Sequence, residues 1–96
     1  MIIEHALLQV RASEEAAFEA AMAKARLLIA ASPGFQGIEV RPAAEKTGLY
    51  LLLVRWDSIV DHREGFRKSE RYERWQALLH PFYDPMPSVD YFEDPL

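Results

Sequence analysis

The chain opens with a stretch of β-type content, Ile2 to Arg11, in which Ile2, Ile3, Leu7, Leu8 and Val10 supply the apolar positions. Alternation places His5 on the face of Ile3 and Leu7, and Glu4 on the face of Ile2, Ala6 and Leu8. The period then lengthens. Phe18, Ala21, Met22, Ala25, Leu28 and Ile29 recur at helical spacing and predict a helix running to about Ala31. Ser13 is placed to cap it, Glu14 and Glu15 suit its positive end, and Ser32-Pro33-Gly34 stops it. Period two returns over Phe35 to Pro42, with Ile38 and Val40 on one face and Phe35, Glu39 and Arg41 on the other. After a polar turn, Leu49 to Trp56 is apolar on both faces: Leu49, Leu51 and Leu53 point one way, and Tyr50, Leu52, Val54 and Trp56 the other. A strand with two apolar faces is covered on both.

Ser58 and Asp61 have the spacing of a capping box, and a short helix is expected from there to about Arg67. Ser69 can cap a second helix with Tyr72, Trp75, Leu78, Leu79 and Phe82 on its inner stripe, ended by Pro81, Pro85 and Pro87. Ser88 to Glu93 reads as a short last strand. The order β-α-β-β-α-β is the split, ferredoxin-like α+β arrangement, an antiparallel four-stranded sheet with helices on one face. The other sheet face is then uncovered in a single copy, and the leucines of the third strand require a cover. A second copy of the chain packed sheet to sheet, as a homodimer, is the simplest one.

Composition narrows the function. The 96 residues read as one domain, 1–96, and a chain of this size buries only about 60–65% of its unfolded surface, which again favours association. There are no cysteines, so neither disulfides nor thiolate metal sites reinforce the core. A net charge of −4, with basic residues interspersed among acids, argues against a nucleic-acid partner. No apolar run approaches the roughly 20 residues that span a bilayer, and the N-terminal residues carry an acid and a histidine rather than a basic leader, so a cytoplasmic protein without a membrane partner is expected. No glycine-rich phosphate loop, nucleotide fingerprint or metal-ligand spacing is present.

Both tryptophans and two of the three histidines fall between Trp56 and Phe82. Such a segment builds a core or lines a pocket. His62 and His5 are the candidate general bases, since an imidazole titrates near pH 6.5 and can take a phenolic proton. Tyr72, Trp56 and Trp75 can donate to an oxyanion, and Tyr50, Leu52 and Phe66 can wall off an apolar, flat space. The same residues also suit ordinary roles: His62 as a helix residue fixed by Asp57 or Asp61, His5 as a satisfied interface histidine, and the aromatics as core.

The residues Trp56-Asp57-Ser58, Asp61-His62, Gly65-Phe66-Arg67, Ser69, Tyr72, Trp75, Pro81-Phe82 and the segment Pro87 to Phe92 resemble the antibiotic biosynthesis monooxygenase family, small dimeric α+β barrel proteins. The resemblance spans nearly the whole chain. It implies a homodimer with a pocket between helices and sheet in each subunit, and no metal or flavin cofactor where members oxygenate phenols or hydroquinones. Other members degrade haem through an Asn, a Trp and a His, and the positions that align with these hold His5, Phe66 and Gln76 here, so haem degradation is not expected. Two functions stay open: a cofactor-independent monooxygenase of a small electron-rich aromatic, or a non-catalytic dimer that binds a small ligand or serves in a stress response. A filled space between helices and sheet would favour the second, and a cavity with a histidine on its wall the first.

Overall fold

The computed structural model describes residues Met1–Leu96. Four strands, β1 (Ile2–Gln9), β2 (Phe35–Pro42), β3 (Leu49–Trp56) and β4 (Asp90–Phe92), form an antiparallel sheet in the order β2-β3-β1-β4. Helices α1 (Glu15–Ala30) and α2 (Glu70–Leu79) pack against one another on one face of it. This is the ferredoxin-like α+β arrangement that the element order implies. No helix is long and apolar enough to cross a membrane.

Strand β1 is central, paired along its whole length with β3 and at one end with β4. Its odd and even positions therefore meet different surroundings. Glu4, Ala6 and Leu8 are sealed beneath the helices, while Ile3, His5 and Leu7 face the other way. On β3, Tyr50, Leu52, Val54 and Trp56 are buried and Leu49, Leu51, Leu53 and Arg55 are half-buried. From α1 come Phe18, Met22, Ala25 and Ile29, a single stripe that closes the core over the sheet.

Local structure departs from expectation at four places. Ser13 does not cap α1: its backbone is left-handed (φ 70°), and Glu14 stands at the cap position without a side-chain cap bond. Phe35 joins the covered face with Ile38 and Val40, because a bulge between Phe35 and Gly37 sets it opposite Trp56, with the two rings edge to face at 5.9 Å. Pro81 does not end helical structure at once, since α2 passes into a 3-10 turn over His80–Phe82. The fourth departure bears on the site. Asp61–Phe66 is a π-helix, closed by the Arg67 N–H donating to the His62 carbonyl at 3.0 Å. His62 and Phe66, four residues apart and so on one helical face, both point inward, and their rings stack at 6.3 Å.

The turns around this segment are fixed as the sequence suggests. Ser58 Oγ accepts from the Asp61 N–H at 3.3 Å and lies 3.0 Å from its carboxylate, and Ser69 Oγ accepts from the Tyr72 N–H at 3.3 Å to start α2. Gly34, at φ 82°, lets the chain turn into β2 with its carbonyl accepting from the Asp57 N–H at 2.8 Å. A side chain there would collide with the Asp61 carboxylate.

Candidate active site

Between α2, the sheet and the segment leading to β4 lies a cavity of about 520 Å³, within the range of about 300–1,000 Å³ usual for small-molecule sites. Ala6, Leu8 and Leu52 form its sheet wall. Phe66 comes from the π-helix, and Tyr72, Trp75 and Gln76 from α2. His80 and Tyr83 close one end, and Met86 to Val89 form the outer wall.

On the wall of this cavity sits a buried polar cluster. Glu4, only 4% exposed, turns its carboxyl under the helices because its position on β1 allows no other direction. Trp56 Nε1–H donates to Glu4 Oε1 at 2.9 Å, across the β1–β3 ladder. His62 Nε2 lies 3.3 Å from the same oxygen, and His62 Nδ1 meets the Tyr91 hydroxyl at 2.6 Å. The tautomer that satisfies both contacts has Nδ1 accepting from Tyr91 and the hydrogen on Nε2, towards Glu4. Both ring nitrogens of His62 are thus engaged. Glu4 Oε2 takes no part in these contacts, and no fully buried side-chain oxygen or nitrogen lacks a partner, so this oxygen is reachable from the cavity.

Burial governs the charge of the pair. It pushes the Glu4 carboxyl up to about 7, with the Trp56 hydrogen bond and the Arg67 charge pulling partly back. It lowers His62 to about 4, and the positive charges of Arg67 and Arg63 act in the same sense. A contact of 3.3 Å is short enough for an ion pair, and mutual attraction alone would push both values the other way. For two groups this deeply buried, the cost of burying charge outweighs that attraction, and the neutral pair is favoured. Near pH 7, His62 is therefore neutral and Glu4 exchanges its proton readily. Burial also lowers His80 and raises Tyr91, the latter with help from Glu4.

The structure brings together five of the expected site residues: His62, Tyr72, Phe66, Trp75 and Leu52 all line the cavity. Three lie elsewhere. His5 is on the opposite face of the sheet, edge to face with Phe92 at 5.5 Å, because its odd position on β1 directs it away from the helices. Trp56 is completely buried behind the cavity wall, where it serves Glu4. Tyr50 lines a separate depression of about 170 Å³ beside α1, and its hydroxyl donates to Glu19 at 2.6 Å. Of the positions aligned with the haem-degrading members, Phe66 and Gln76 lie on the cavity wall and His5 does not. No three His, Cys, Asp or Glu side chains converge as metal ligands do.

Sequence reasoning passed over Glu4, Tyr91 and Arg67. Glu4 had a legible signal, an acid sharing a strand face with Ala6 and Leu8. Tyr91 had none, because its place follows from the pairing of a three-residue strand. Arg67 reaches the cavity through the turn that ends the π-helix.

Comparison with known proteins agrees with this architecture. The sequence pattern of the family described as antibiotic biosynthesis monooxygenase matches residues 1–78. The uncharacterized protein YczJ of Bacillus subtilis is 42% identical over 94 residues, covering 98% of this chain and 99% of that one. A putative antibiotic biosynthesis monooxygenase from Bordetella bronchiseptica superposes with a TM-score of 0.93 at 30% identity, over 99% of this chain and 97% of its own. SnoaB, a cofactor-independent oxygenase from Streptomyces nogalater, shares the fold with a TM-score of 0.86 at 16% identity, over 99% and 93% of the two chains.

Proposed function

The chain belongs to the antibiotic biosynthesis monooxygenase family, and from that premise we propose that it oxygenates a small electron-rich aromatic, a phenol or hydroquinone, in the Glu4–His62 cavity without a metal or flavin. The observation that carries this reading is the Glu4 carboxyl: buried, poised near pH 7, and presenting one oxygen to a cavity of about 520 Å³. A base with that affinity for protons is matched to neutral solution. The reading extends to this chain the cofactor-independent oxygenation ascribed to SnoaB.

The residues divide the work as follows. Glu4 Oε2 takes the phenolic proton, and His62, whose nitrogens are committed to Glu4 and Tyr91, positions the carboxyl and adjusts its proton affinity. Tyr72 lines the cavity and supplies a hydroxyl to donate to the phenolate oxygen. Phe66, Trp75 and Leu52 hold the ring in an apolar enclosure. The phenolate passes one electron to dioxygen, and the resulting superoxide joins the aryloxyl radical at a ring carbon to form a C–O–O⁻ peroxide. The peroxide regains the proton from Glu4. Loss of water, with hydrogen from the ring carbon and OH from the peroxide, then leaves a carbonyl. A hydroquinone and O₂ thereby become a hydroxyquinone and H₂O, with the four electrons supplied by the substrate.

We place a second copy of the chain on the open sheet face, where Leu7, Leu51 and Leu53 line up without cover. The site reading is tested with an oxygen electrode and a panel of hydroquinones. Wild type is expected to consume oxygen, and Glu4→Gln to lose about 10²-fold or more in kcat/KM. His62→Ala and Tyr72→Phe should fall by smaller factors, and His5→Ala should be unchanged. An undiminished rate in Glu4→Gln would remove the assigned base. Ligands that raise the melting temperature without any oxygen uptake would favour a non-catalytic binding protein instead.

A further inference from the structure

The cavity carries a full positive charge that the proton chemistry of Glu4 does not use. Arg67 caps the π-helix, and its backbone is fixed by its N–H bond to the His62 carbonyl. Its guanidinium lies over the Tyr72 ring, 5.5 Å from the centroid, on the cavity wall. It is close enough to influence Glu4, His62, His80 and Tyr91 alike, so its charge bears on the whole site.

No carboxylate stands within ion-pair distance of it. Its neighbour Lys68 is paired with Glu64. The one acid on the cavity wall is Glu4, which is near-neutral and already engaged by Trp56 and His62. On the α2 side, Tyr72, Gln76 and His80 line the cavity together with Arg67. The Ser88 hydroxyl adds a further donor on the outer wall. A guanidinium held on a ring, among hydrogen-bond donors and without a counter-ion, is suited to receive a planar anion in two parallel hydrogen bonds.

We propose that the substrate is an aromatic hydroxy acid: a phenol or hydroquinone bearing a carboxylate that Arg67 binds, while the ring hydroxyl lies against Glu4. The assignment rests on the reading of this cavity as the substrate site. It makes Arg67 a specificity-determining residue, through which an acid is preferred over the neutral ring. Two charges then meet at Arg67, whereas the Glu4–His62 pair stays close to neutral.

The test compares 1-hydroxy-2-naphthoic acid with 1-naphthol, which differ by the carboxylate alone. Binding to the full-length protein is followed under nitrogen by quenching of tryptophan fluorescence, with Trp75 on the cavity wall as the reporter. Wild type is expected to bind the acid at least about tenfold more tightly than the naphthol. Arg67→Gln should lose that preference while its affinity for naphthol holds, and Arg67→Lys should recover part of it. Circular dichroism confirms that each variant is folded. Equal affinities in wild type, or an equal loss for both ligands in Arg67→Gln, would overturn the anion subsite and leave the cavity reading intact. Failure of both ligands to bind overturns the subsite together with the cavity reading. An Arg67-dependent preference for the acid, with no oxygen uptake on 1,4-dihydroxy-2-naphthoic acid, would sustain the subsite and remove the oxygenase.

Discussion

Along β1, Glu4, Ala6 and Leu8 are sealed beneath two helices, whereas Ile3, His5 and Leu7, one residue away in each case, face outward, with Leu7 53% exposed. On β3 the same alternation separates Trp56, which is fully buried, from Arg55, which lies half-exposed over Gly37 and Glu39. The covered face contains few polar groups, each with a defined partner, because an unpaired one would cost about 1–3 kcal/mol. The open face mixes leucines with Arg41, Arg55 and Glu39, which form ion pairs near solvent, close at Arg41 (2.6 Å) and long at Arg55 (3.9 Å). Burial raises the Glu4 carboxyl to about 7 on the covered face, whereas the hydrogen bond and charge of Arg41 hold the Glu39 carboxyl below the usual carboxylate range on the open one. The position along the strand decides which, more than the type of residue. Glu4 therefore meets the cavity, whereas His5 lies against Phe92 on the other face.

The largest expected test of this contrast is mechanical. Trp56→Ala removes a fully buried ring and the donor to Glu4, and should cost about 3–5 kcal/mol in urea denaturation. Arg55→Ala, next to it on the open face, should stay within about 0.5 kcal/mol. Comparable losses at the two positions would break the distinction.

A second test uses pH. Folded Glu4 keeps its proton up to about 7 against an ordinary 4.5, so between those values folding takes up a proton and stability from Glu4 falls as pH rises. Folded His62 refuses a proton down to about 4 against an ordinary 6.5, so its contribution rises with pH across that window. The two slopes oppose each other and nearly cancel from pH 4.5 to 6.5. Relative to wild type, His62→Gln should lose stability as pH climbs from 4 to 6.5, and Glu4→Gln should gain it from 4.5 to 7. Each change should be on the order of 3 kcal/mol, read from denaturant midpoints in a buffer series. Parallel profiles for all three proteins would mean that the covered face does not hold these groups near neutrality.

The smallest expected effect on the fold is on the open face. Leu7 and Leu51 are cross-strand neighbours. Replacing both with Lys should change the stability of the single chain by less than about 1 kcal/mol, yet convert a sedimenting dimer to monomer at micromolar concentration. A wild type that already sediments as a monomer would show that the open face has no second copy on it.

Much of this was legible in the sequence. The alternation in β3 gives both its faces, the aromatic spacing gives α2, and Ser58 and Ser69 mark real starts. His62 stands out as a titratable residue in an aromatic segment. What could not be read depends on geometry between distant segments or on local backbone detail. The bulge that moves Phe35 and the left-handed Ser13 change directions without changing the apolar pattern. The π-helix over Asp61–Phe66 stands where an ordinary helical turn is expected, a backbone detail that the apolar spacing does not announce. Glu4 reads as one more polar position in an alternating strand until the covered face is known, and its affinity for a proton arises only once Trp56 and the helices enclose it.

The central place of β1 has a kinetic consequence. Glu4 is opposite Val54 on one side and Tyr91 on the other, so the site is stitched from segments far apart in sequence. Contacts of that kind are entropically expensive to close and come late in folding. Until they close, Glu4 is a solvated carboxylate like any other, ionised at neutral pH, and His62 is free to take up protons. Between pH 4.5 and 6.5 the act of folding therefore moves a proton onto Glu4 and releases one from His62, with almost no net exchange with the buffer. Closure of the site and the internal redistribution of that proton happen together, and a refolding experiment followed by a pH indicator would see nearly nothing as the Glu4–His62 pair closes.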